Sequence, residues 1–175
     1  MKKCAFTGHR PQSLPFRFDE TDERCVSLKN KLRAEIVRML ENKGITYFIS
    51  GMAIGVDMYA AEIVLALKSP YDPNIKLECA IPCEEQSCKW PVALQKRYAD
   101  IIGKCDKKTL IQKGYTPDCM EKRNRYMVDQ ADTLIAVWNG RPSGTGKTVR
   151  YALTMNKPVR IINPVTLSVE EKPEV

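Results

Sequence analysis

The chain is poor in patterns that bind metals or form disulfides. It has a single histidine, His9, among 175 residues, and its seven cysteines are scattered without a C-x-x-C pair. Because structural zinc sites are built from closely spaced cysteine and histidine ligands, no metal site is expected. Cys79, Cys83 and Cys88 are close enough in sequence to meet, but an odd number of scattered cysteines favours reduced thiols.

Long apolar runs are also missing. A transmembrane helix needs about 18 or more consecutive apolar residues, and the chain has no such run. The N-terminus carries Lys2 and Lys3, but no apolar segment of signal-peptide length follows them. We therefore expect a cytoplasmic protein with no membrane partner.

Positive charge is in excess. Lys and Arg number 28 against 21 Asp and Glu, which gives a formal net charge of +7. This charge suits an anionic ligand or a nucleic acid, although charge alone says nothing about the fold. The length is sufficient for one domain with its own core, which we expect over residues 1–163, followed by a charged, frayed tail over 164–175.

Apolar runs typical of buried strands alternate with helical patterns along the chain. Strands are predicted at 3–6, 45–49, 75–81, 107–111, 133–138 and 159–162, and helices at 21–43, 90–105, 117–130 and 145–156, with a further helix that follows the turn at 50–57 and extends to about residue 68. A polar connection is expected at 69–74. This order predicts an α/β fold: a Rossmann-like, doubly wound, mostly parallel sheet with helices on both faces.

Three loops that follow predicted strands carry residues suited to a ligand. Ligands of parallel sheets bind beyond the carboxyl ends of the strands, so loops 7–11, 50–57 and 139–148 are expected to line one cleft. The candidate ligand-binding residues are Thr7, Gly8, His9 and Arg10; Ser50, Gly51, Met52, Gly55 and Asp57; Arg123 and Asn124 on the helix at 117–130; and Asn139, Gly140, Ser143, Gly144, Thr145, Gly146, Lys147 and Thr148. No residue is assigned as catalytic.

The third loop has the layout of a phosphate-binding turn. A glycine-rich segment between a strand and a helix presents free backbone N–H groups and a positive helix end to an anion. Gly146-Lys147-Thr148 looks like the end of a Walker A motif, but the required first glycine falls on Arg141. The chain is therefore not expected to be a P-loop NTPase.

The first two loops suggest how the rest of a ligand is bound. Arg10 is a natural phosphate partner because a guanidinium pairs with phosphate oxygens through two hydrogen bonds. Asp57 lies in the first turn of a helix, where its carboxylate suits the helix dipole and would also repel a neighbouring phosphate. We therefore place a phosphate at 139–148 and a sugar or base nearer Asp57.

Four ordered blocks together resemble the SLOG superfamily, named for the Smf/DprA and Lonely Guy proteins, and most closely its YpsA-like branch. The blocks are Thr7-Gly8-His9-Arg10-Pro11; residues 50–57 with Ala60-Ala61-Glu62; Arg123-Asn124 with Met127-Val128-Asp129; and residues 131–138 running into 143–148. The resemblance covers residues 2–163. It implies a Rossmann-like domain that binds a nucleotide or a nucleotide-derived ligand.

The resemblance also raises the question of catalysis. Lonely Guy enzymes release the base from cytokinin nucleotides with an arginine, which Arg123 matches, and a glutamate, whose position here is Thr148. A threonine cannot supply the carboxylate that supports an oxocarbenium-like centre. Glu62 is a substitute carboxylate to consider, although it lies away from the motif.

Three hypotheses follow. The first is a nucleotide-binding sensor or regulatory protein, without an identified cofactor and compatible with a homo-oligomer. The second is an N-glycosidase, similar to a phosphoribohydrolase, that acts on nucleoside monophosphates or nucleotide sugars. The third is a module that binds single-stranded nucleic acid, which is less favoured because the sequence shows no aromatic and basic platform.

Overall fold

A computed structural model describes residues 1–68 and 72–173, so the connection expected at 69–74 lies partly outside the described residues. The strands are β1 (Lys3–Gly8), β2 (Tyr47–Ser50), β3 (Lys76–Ile81), β4 (Lys107–Leu110), β5 (Thr133–Val137), β6 (Val159–Ile162) and β7 (Val169–Lys172). The helices are α1 (Glu23–Lys43), α2 (Val56–Leu67), α3 (Val92–Lys104), α4 (Cys119–Gln130) and α5 (Gly144–Thr154). Within these residues, no helix is long and apolar enough to cross a membrane.

The strands form one sheet in the order β4-β3-β2-β1-β5-β6-β7. Strands β1 to β6 run parallel, and Ala5 at the centre lies between Ile49 of β2 and Leu134 of β5. Strand order runs outward from β1 in both directions, so the switch in strand order falls between β1 and β5. The predicted doubly wound parallel sheet is confirmed.

Helices cover both faces of the sheet. Because side chains alternate along a strand, Cys4 and Phe6 of β1 face one layer and Ala5 faces the other. Helices α1, α2 and α3 pack on the first face, and α4 and α5 pack on the second. Burying both faces requires strands that are mostly apolar, as β1, β2, β5 and β6 are, whereas β4 and β7 at the edges carry charged residues.

Local sequence determines where α1 begins and ends. The side chain of Asp22 accepts a hydrogen bond from the backbone N–H of Arg24 at 2.8 Å, which caps the first turn. Gly44 follows the last turn in the left-handed conformation, with φ 64°. The helix end predicted from Gly44 is confirmed.

The prediction of a frayed tail over residues 164–175 is wrong for four of these residues. Val169–Lys172 forms β7, which pairs antiparallel with β6. Arg160 of β6 stabilises this strand, since its Nη1 donates to Glu171 at 2.7 Å while its Nε donates to Glu35 of α1. The charges that suggested fraying instead pair across the edge of the sheet.

Strand β1 and helix α2 approach each other closely at Gly8. A Cβ atom added to Gly8 would overlap the side chain of Val56, the first residue of α2. Gly8 therefore lets the amino end of α2 reach the carboxyl end of β1, which brings the second loop beside the first.

We expect Gly8→Ala to lower the free energy of unfolding by about 1–3 kcal/mol, because the added methyl group overpacks this contact. Gly103→Ala is the matched control, since a Cβ there meets nothing within 4 Å. Because glycine destabilises a helix relative to alanine, the free energy of unfolding of this control should rise by up to about 1 kcal/mol. Urea unfolding midpoints measure both changes, and equal midpoints would contradict the close approach.

Candidate functional site

The carboxyl ends of β1, β2 and β5 open into a cleft of about 290 Å³. Ten of the candidate residues line this cleft: Thr7, Gly8, His9, Arg10, Asp57, Arg123, Asn124, Ser143, Gly144 and Thr145. The three loops thus meet at one place beside the switch in strand order, as the topology predicts. That these residues bind a ligand stays a prediction.

Arg123 of α4 brings a buried positive charge to the cleft. Its side chain is 3% exposed, its Nη1 donates to the carbonyl of Gly51, and its Nε donates to Oδ1 of Asn124 at 2.8 Å. Among the described residues, no carboxylate forms an ion pair with it. Burial lowers the pKa of Arg123 and the nearby charge of Asp57 opposes that shift, but a guanidinium stays charged in proteins.

The lack of a side chain at Gly51 leaves room for the guanidinium of Arg123. A Cβ atom at Gly51 would overlap the Arg123 guanidinium, so only a glycine leaves room for it. The sequence names Gly51 as a candidate ligand-binding residue. In the structure, the space beside its backbone holds the Arg123 guanidinium, which places the positive charge at the cleft.

Asp57 of α2 brings a buried carboxyl group to the cleft. It is 6% exposed, and its Oδ2 accepts a hydrogen bond from the backbone N–H of Ala53 at 3.3 Å. Burial raises the pKa of Asp57, while the charge of Arg123, the Ala53 hydrogen bond and the charge of Arg10 act against that rise. Among the described residues, no other side chain that lines the cleft is acidic.

The amino end of α5 forms a further wall. Ser143 caps the helix, since its Oγ accepts a hydrogen bond from the N–H of Gly146 at 3.0 Å. The N–H groups of Gly144 and Thr145 have no partner within the helix, because the first turn always leaves such donors free. These donors and the positive helix end favour an anion at this wall.

Two threonine side chains complete the lining. Thr7 is 6% exposed and Thr145 is 7% exposed, and neither hydroxyl has a hydrogen-bond partner in the part of the chain that the structure describes. No fully buried side-chain oxygen or nitrogen of the described residues lacks a partner, so these two hydroxyls reach the open space of the cleft. Both are therefore available to a bound molecule.

His9 joins the first loop to the third. Its Nε2 accepts a hydrogen bond from the backbone N–H of Asn139 at 3.1 Å, so the proton of the neutral ring lies on Nδ1. Burial lowers the pKa of His9, which keeps the ring neutral at neutral pH. The histidine therefore positions a loop, in addition to lining the cleft.

The remaining nine candidates lie outside the cleft: Ser50, Gly51, Met52, Gly55, Asn139, Gly140, Gly146, Lys147 and Thr148. Ser50 and Met52 are fully buried, and the Ser50 hydroxyl accepts from the Met52 N–H where Met52 has a φ of 58°. A side chain at Gly55 would contact the carbonyl of His9, and one at Gly146 would contact Trp138. These residues shape the loops.

Lys147 and Thr148 face a second depression, the α4–α5 groove. This groove of about 420 Å³ lies between the two helices and shares Met120, Asn124 and Gly144 with the cleft. The Thr148 hydroxyl donates to the carbonyl of Gly144 at 3.0 Å and so does not point into the cleft. Glu62 lines neither the cleft nor this groove, and it accepts a hydrogen bond from Nε of Arg97 at 2.6 Å.

Sequence reasoning missed four residues of the cleft: Gln12, Ser13, Ala53 and Met120. Met120 precedes Asn124 by four residues on α4, so the helical spacing places both on one face. That spacing could have identified Met120. No comparable signal marks Gln12 or Ser13, which belong to a short 3-10 turn after β1.

Comparison with known proteins places this geometry in a family. The model of the YpsA family, described as the YspA SLOG family, matches residues 4–167. The chain is 30% identical to the uncharacterized SPbeta prophage-derived protein YoqJ of Bacillus subtilis over 139 residues, which are 73% of this chain and 81% of that protein. It is 27% identical to a UPF0398 protein of Halalkalibacterium halodurans over 83% of this chain and 76% of that protein.

Solved structures of DNA processing protein A share the fold. The Helicobacter pylori protein, solved for its single-stranded DNA binding mode, superposes with a TM-score of 0.64 at 21% identity over 93% of this chain. The Streptococcus pneumoniae protein superposes with a TM-score of 0.63 at 20% identity over 96% of this chain. The chain spans 65% and 52% of these two proteins. The resemblance seen in the four sequence blocks is thus confirmed, and the chain belongs to the YpsA family of SLOG proteins.

Proposed function

We propose that this chain binds a nucleotide or a nucleotide-derived ligand through its phosphate, and that it acts as a sensor or regulatory protein. The observation that carries the proposal is the buried Arg123 guanidinium, which lines the cleft without a carboxylate partner among the described residues. The charge of Asp57 acts on Arg123 without an ion pair between the two groups, and Arg10 adds a second positive charge nearby. Burying a charge is costly unless a counter-charge compensates it, and a bound phosphate would supply a counter-charge in direct contact.

The surroundings of Arg123 support a phosphate rather than a simple carboxylate. The free N–H groups of Gly144 and Thr145 and the side chain of Arg10 line the same cleft. Together they offer more donors than one carboxylate accepts, and phosphate has three strong acceptor oxygens. Asp57, which also lines the cleft, suits the hydroxyl groups of a ribose and disfavours a second phosphate beside it.

Hydrolysis of the glycosidic bond is the second candidate, and the cleft gives it little support. Glycosidases use carboxyl groups on both sides of the bond that they cleave. Here Asp57 is the one acidic side chain that lines the cleft within the described residues, and Arg97 holds Glu62 elsewhere. We therefore favour binding without rapid turnover.

Single-stranded nucleic acid is the third candidate. The DNA processing protein of Helicobacter pylori binds single-stranded DNA, but at 21% identity the comparison speaks only to the fold. The net charge of +7 suits a polyanion as well as a nucleotide. Retention on single-stranded DNA that falls steeply with salt would favour this candidate over the first.

We expect Gly144→Val to abolish binding of nucleoside monophosphates without affecting the fold. A Cβ atom at Gly144 meets nothing within 4 Å in the protein, but a branched side chain there would occupy the space in front of the free N–H groups. Calorimetry measures the affinity, and circular dichroism checks the fold. Gly103→Val, at an exposed helical glycine with the same open surroundings, is the control and should bind normally. Unchanged affinity in Gly144→Val would contradict the phosphate site.

Arg123→Met should remove ligand-dependent stabilisation. In the natural protein, a nucleoside monophosphate at about 100 times its Kd should add about 2.7 kcal/mol to the free energy of unfolding. The Met side chain keeps most of the buried volume and loses the charge, so this stabilisation should disappear. Thermal unfolding with and without ligand tests this, and Arg125→Met, an exposed arginine on the same helix, is the control. A purely structural Arg123 would leave the ligand-dependent rise in Tm intact.

We further expect no enzyme-like release of base from nucleoside monophosphates or nucleotide sugars, because Asp57 is the one carboxyl group that lines the cleft among the residues that the structure describes. Chromatography of the free base measures this. Release at about 1 per second or faster would be typical of an enzyme. If such release occurred and Asp57→Asn abolished it while Glu62→Gln did not, the hydrolase would replace the sensor as the function.

A further inference from the structure

The cleft is small for a whole nucleotide, and among the described residues no Phe, Tyr or Trp lines it. At about 290 Å³ it lies just below the range of roughly 300–1,000 Å³ that is typical of small-molecule sites. If the phosphate and sugar occupy it, as the proposed function holds, a base that stacks on a ring extends into a neighbouring depression. In the described part of the chain, three depressions share lining residues with the cleft, and their chemistry distinguishes them.

The first neighbour, the α4–α5 groove, is basic. Arg125, Lys147 and Arg150 line it, and its aromatic ring, Tyr151, is already engaged. The Arg125 guanidinium lies 5.2 Å from the centroid of the Tyr151 ring, and the Tyr151 hydroxyl donates to Asp129 at 2.8 Å. This groove suits additional phosphates better than a base.

The second neighbour is a wide depression of about 800 Å³ beside His9 and Ser143. Asn139, Arg141 and Asn163 are among its lining residues, and of the described residues none that lines it is Phe, Tyr or Trp. Its one aromatic ring, that of His9, is engaged by the backbone N–H of Asn139, so it suits a stacked base less well.

The third neighbour, the aromatic pocket, has a volume of about 470 Å³ and is lined by Cys83, Gln86, Trp90, Tyr115 and Met120, among others. Met120 also lines the cleft, so the two spaces lie on either side of one side chain. Tyr115 is 65% exposed, and within the described residues its ring stacks on no other ring and pairs with no cation. The Trp90 ring makes an edge-to-face contact with the Tyr98 ring, with 5.5 Å between the ring centroids.

The aromatic pocket is connected rigidly to the phosphate site. The carbonyl of Gly51 accepts hydrogen bonds from both Arg123 and Gln86, the latter at 3.0 Å. Oε1 of Gln86 in turn accepts from the Tyr98 hydroxyl at 3.2 Å. The guanidinium and the Trp90 ring are thus held at a set separation by Gly51, Gln86 and Tyr98.

We propose that the aromatic pocket binds the base of the nucleotide, stacked on Tyr115 and Trp90, while the phosphate lies across Met120 beside Arg123. The proposal rests on the proposed function, because it assumes a phosphate in the cleft. Base–aromatic stacking accepts every base, since each has a π face. The amide of Gln86 is already engaged in hydrogen bonds, so stacking dominates the recognition of the base.

The test compares ribose 5-phosphate with the best-binding of the four common ribonucleoside 5′-monophosphates, by calorimetry on the full chain. Stacking should make the nucleotide bind about 5- to 150-fold more tightly than ribose 5-phosphate. In Tyr115→Ala this ratio should fall toward one, with the affinity for ribose 5-phosphate unchanged. Because Tyr115 is exposed, the variant should fold normally.

Tyr151→Ala is the matched control, because it truncates a tyrosine on the other side of Met120 and should leave the ratio unchanged. A ratio of one in the natural protein would overturn the base pocket while leaving the phosphate site standing. If the nucleotide bound no more tightly than ribose 5-phosphate in Tyr151→Ala but kept its advantage in Tyr115→Ala, the base would bind in the α4–α5 groove instead. If neither probe bound, the proposed function would fail as well.

Tryptophan fluorescence gives a second readout. The chain has two tryptophans, so Trp138→Phe leaves only Trp90 to report. The nucleotide should quench this emission and ribose 5-phosphate should not. Equal quenching by both probes, or by neither, would contradict stacking on Trp90.

Discussion

The contact between the Arg123 guanidinium and the carbonyl of Gly51 is the constraint on which the candidate site depends. It joins α4, on one face of the sheet, to the loop that follows β2 and leads into α2 on the other face. The contact is sterically compatible only with a glycine at position 51. It also places a buried charge beside the switch in strand order, where a parallel sheet is open to ligands.

The glycines of the cleft serve two different purposes. Gly8 and Gly51 make room for protein side chains, those of Val56 and Arg123. Gly144, in contrast, faces open space at the amino end of α5. A glycine-rich loop in a sequence therefore signals close approach of some group to the backbone, and only the packing shows whether that group is a ligand or the protein itself.

The electrostatics of the cleft are balanced between two buried groups of opposite charge. Burial raises the pKa of Asp57, and the positive charge of Arg123 acts against that rise. Since the two groups form no ion pair, each stays accessible to a ligand, and a molecule with a phosphate and a hydroxyl-bearing sugar satisfies both. The carboxyl group of the cleft belongs to Asp57 of α2, and the Thr148 hydroxyl is bonded within its own helix.

The sequence by itself determined the α/β class, the parallel order of its elements and the three loops of the cleft, because apolar periodicity and the position of loops after strands are local properties. The helical pattern alone does not distinguish Arg123 from its neighbours Lys122 and Arg125, since the direction of a cation on a helix depends on what packs against it; the resemblance to the Lonely Guy arginine is what selects Arg123. Nor did the sequence show β7, whose charged residues become a strand only through pairing with β6. The burial of Arg123, the role of His9 between two loops and the aromatic pocket beyond Met120 were decided by tertiary structure, because each depends on contacts between residues far apart in the chain.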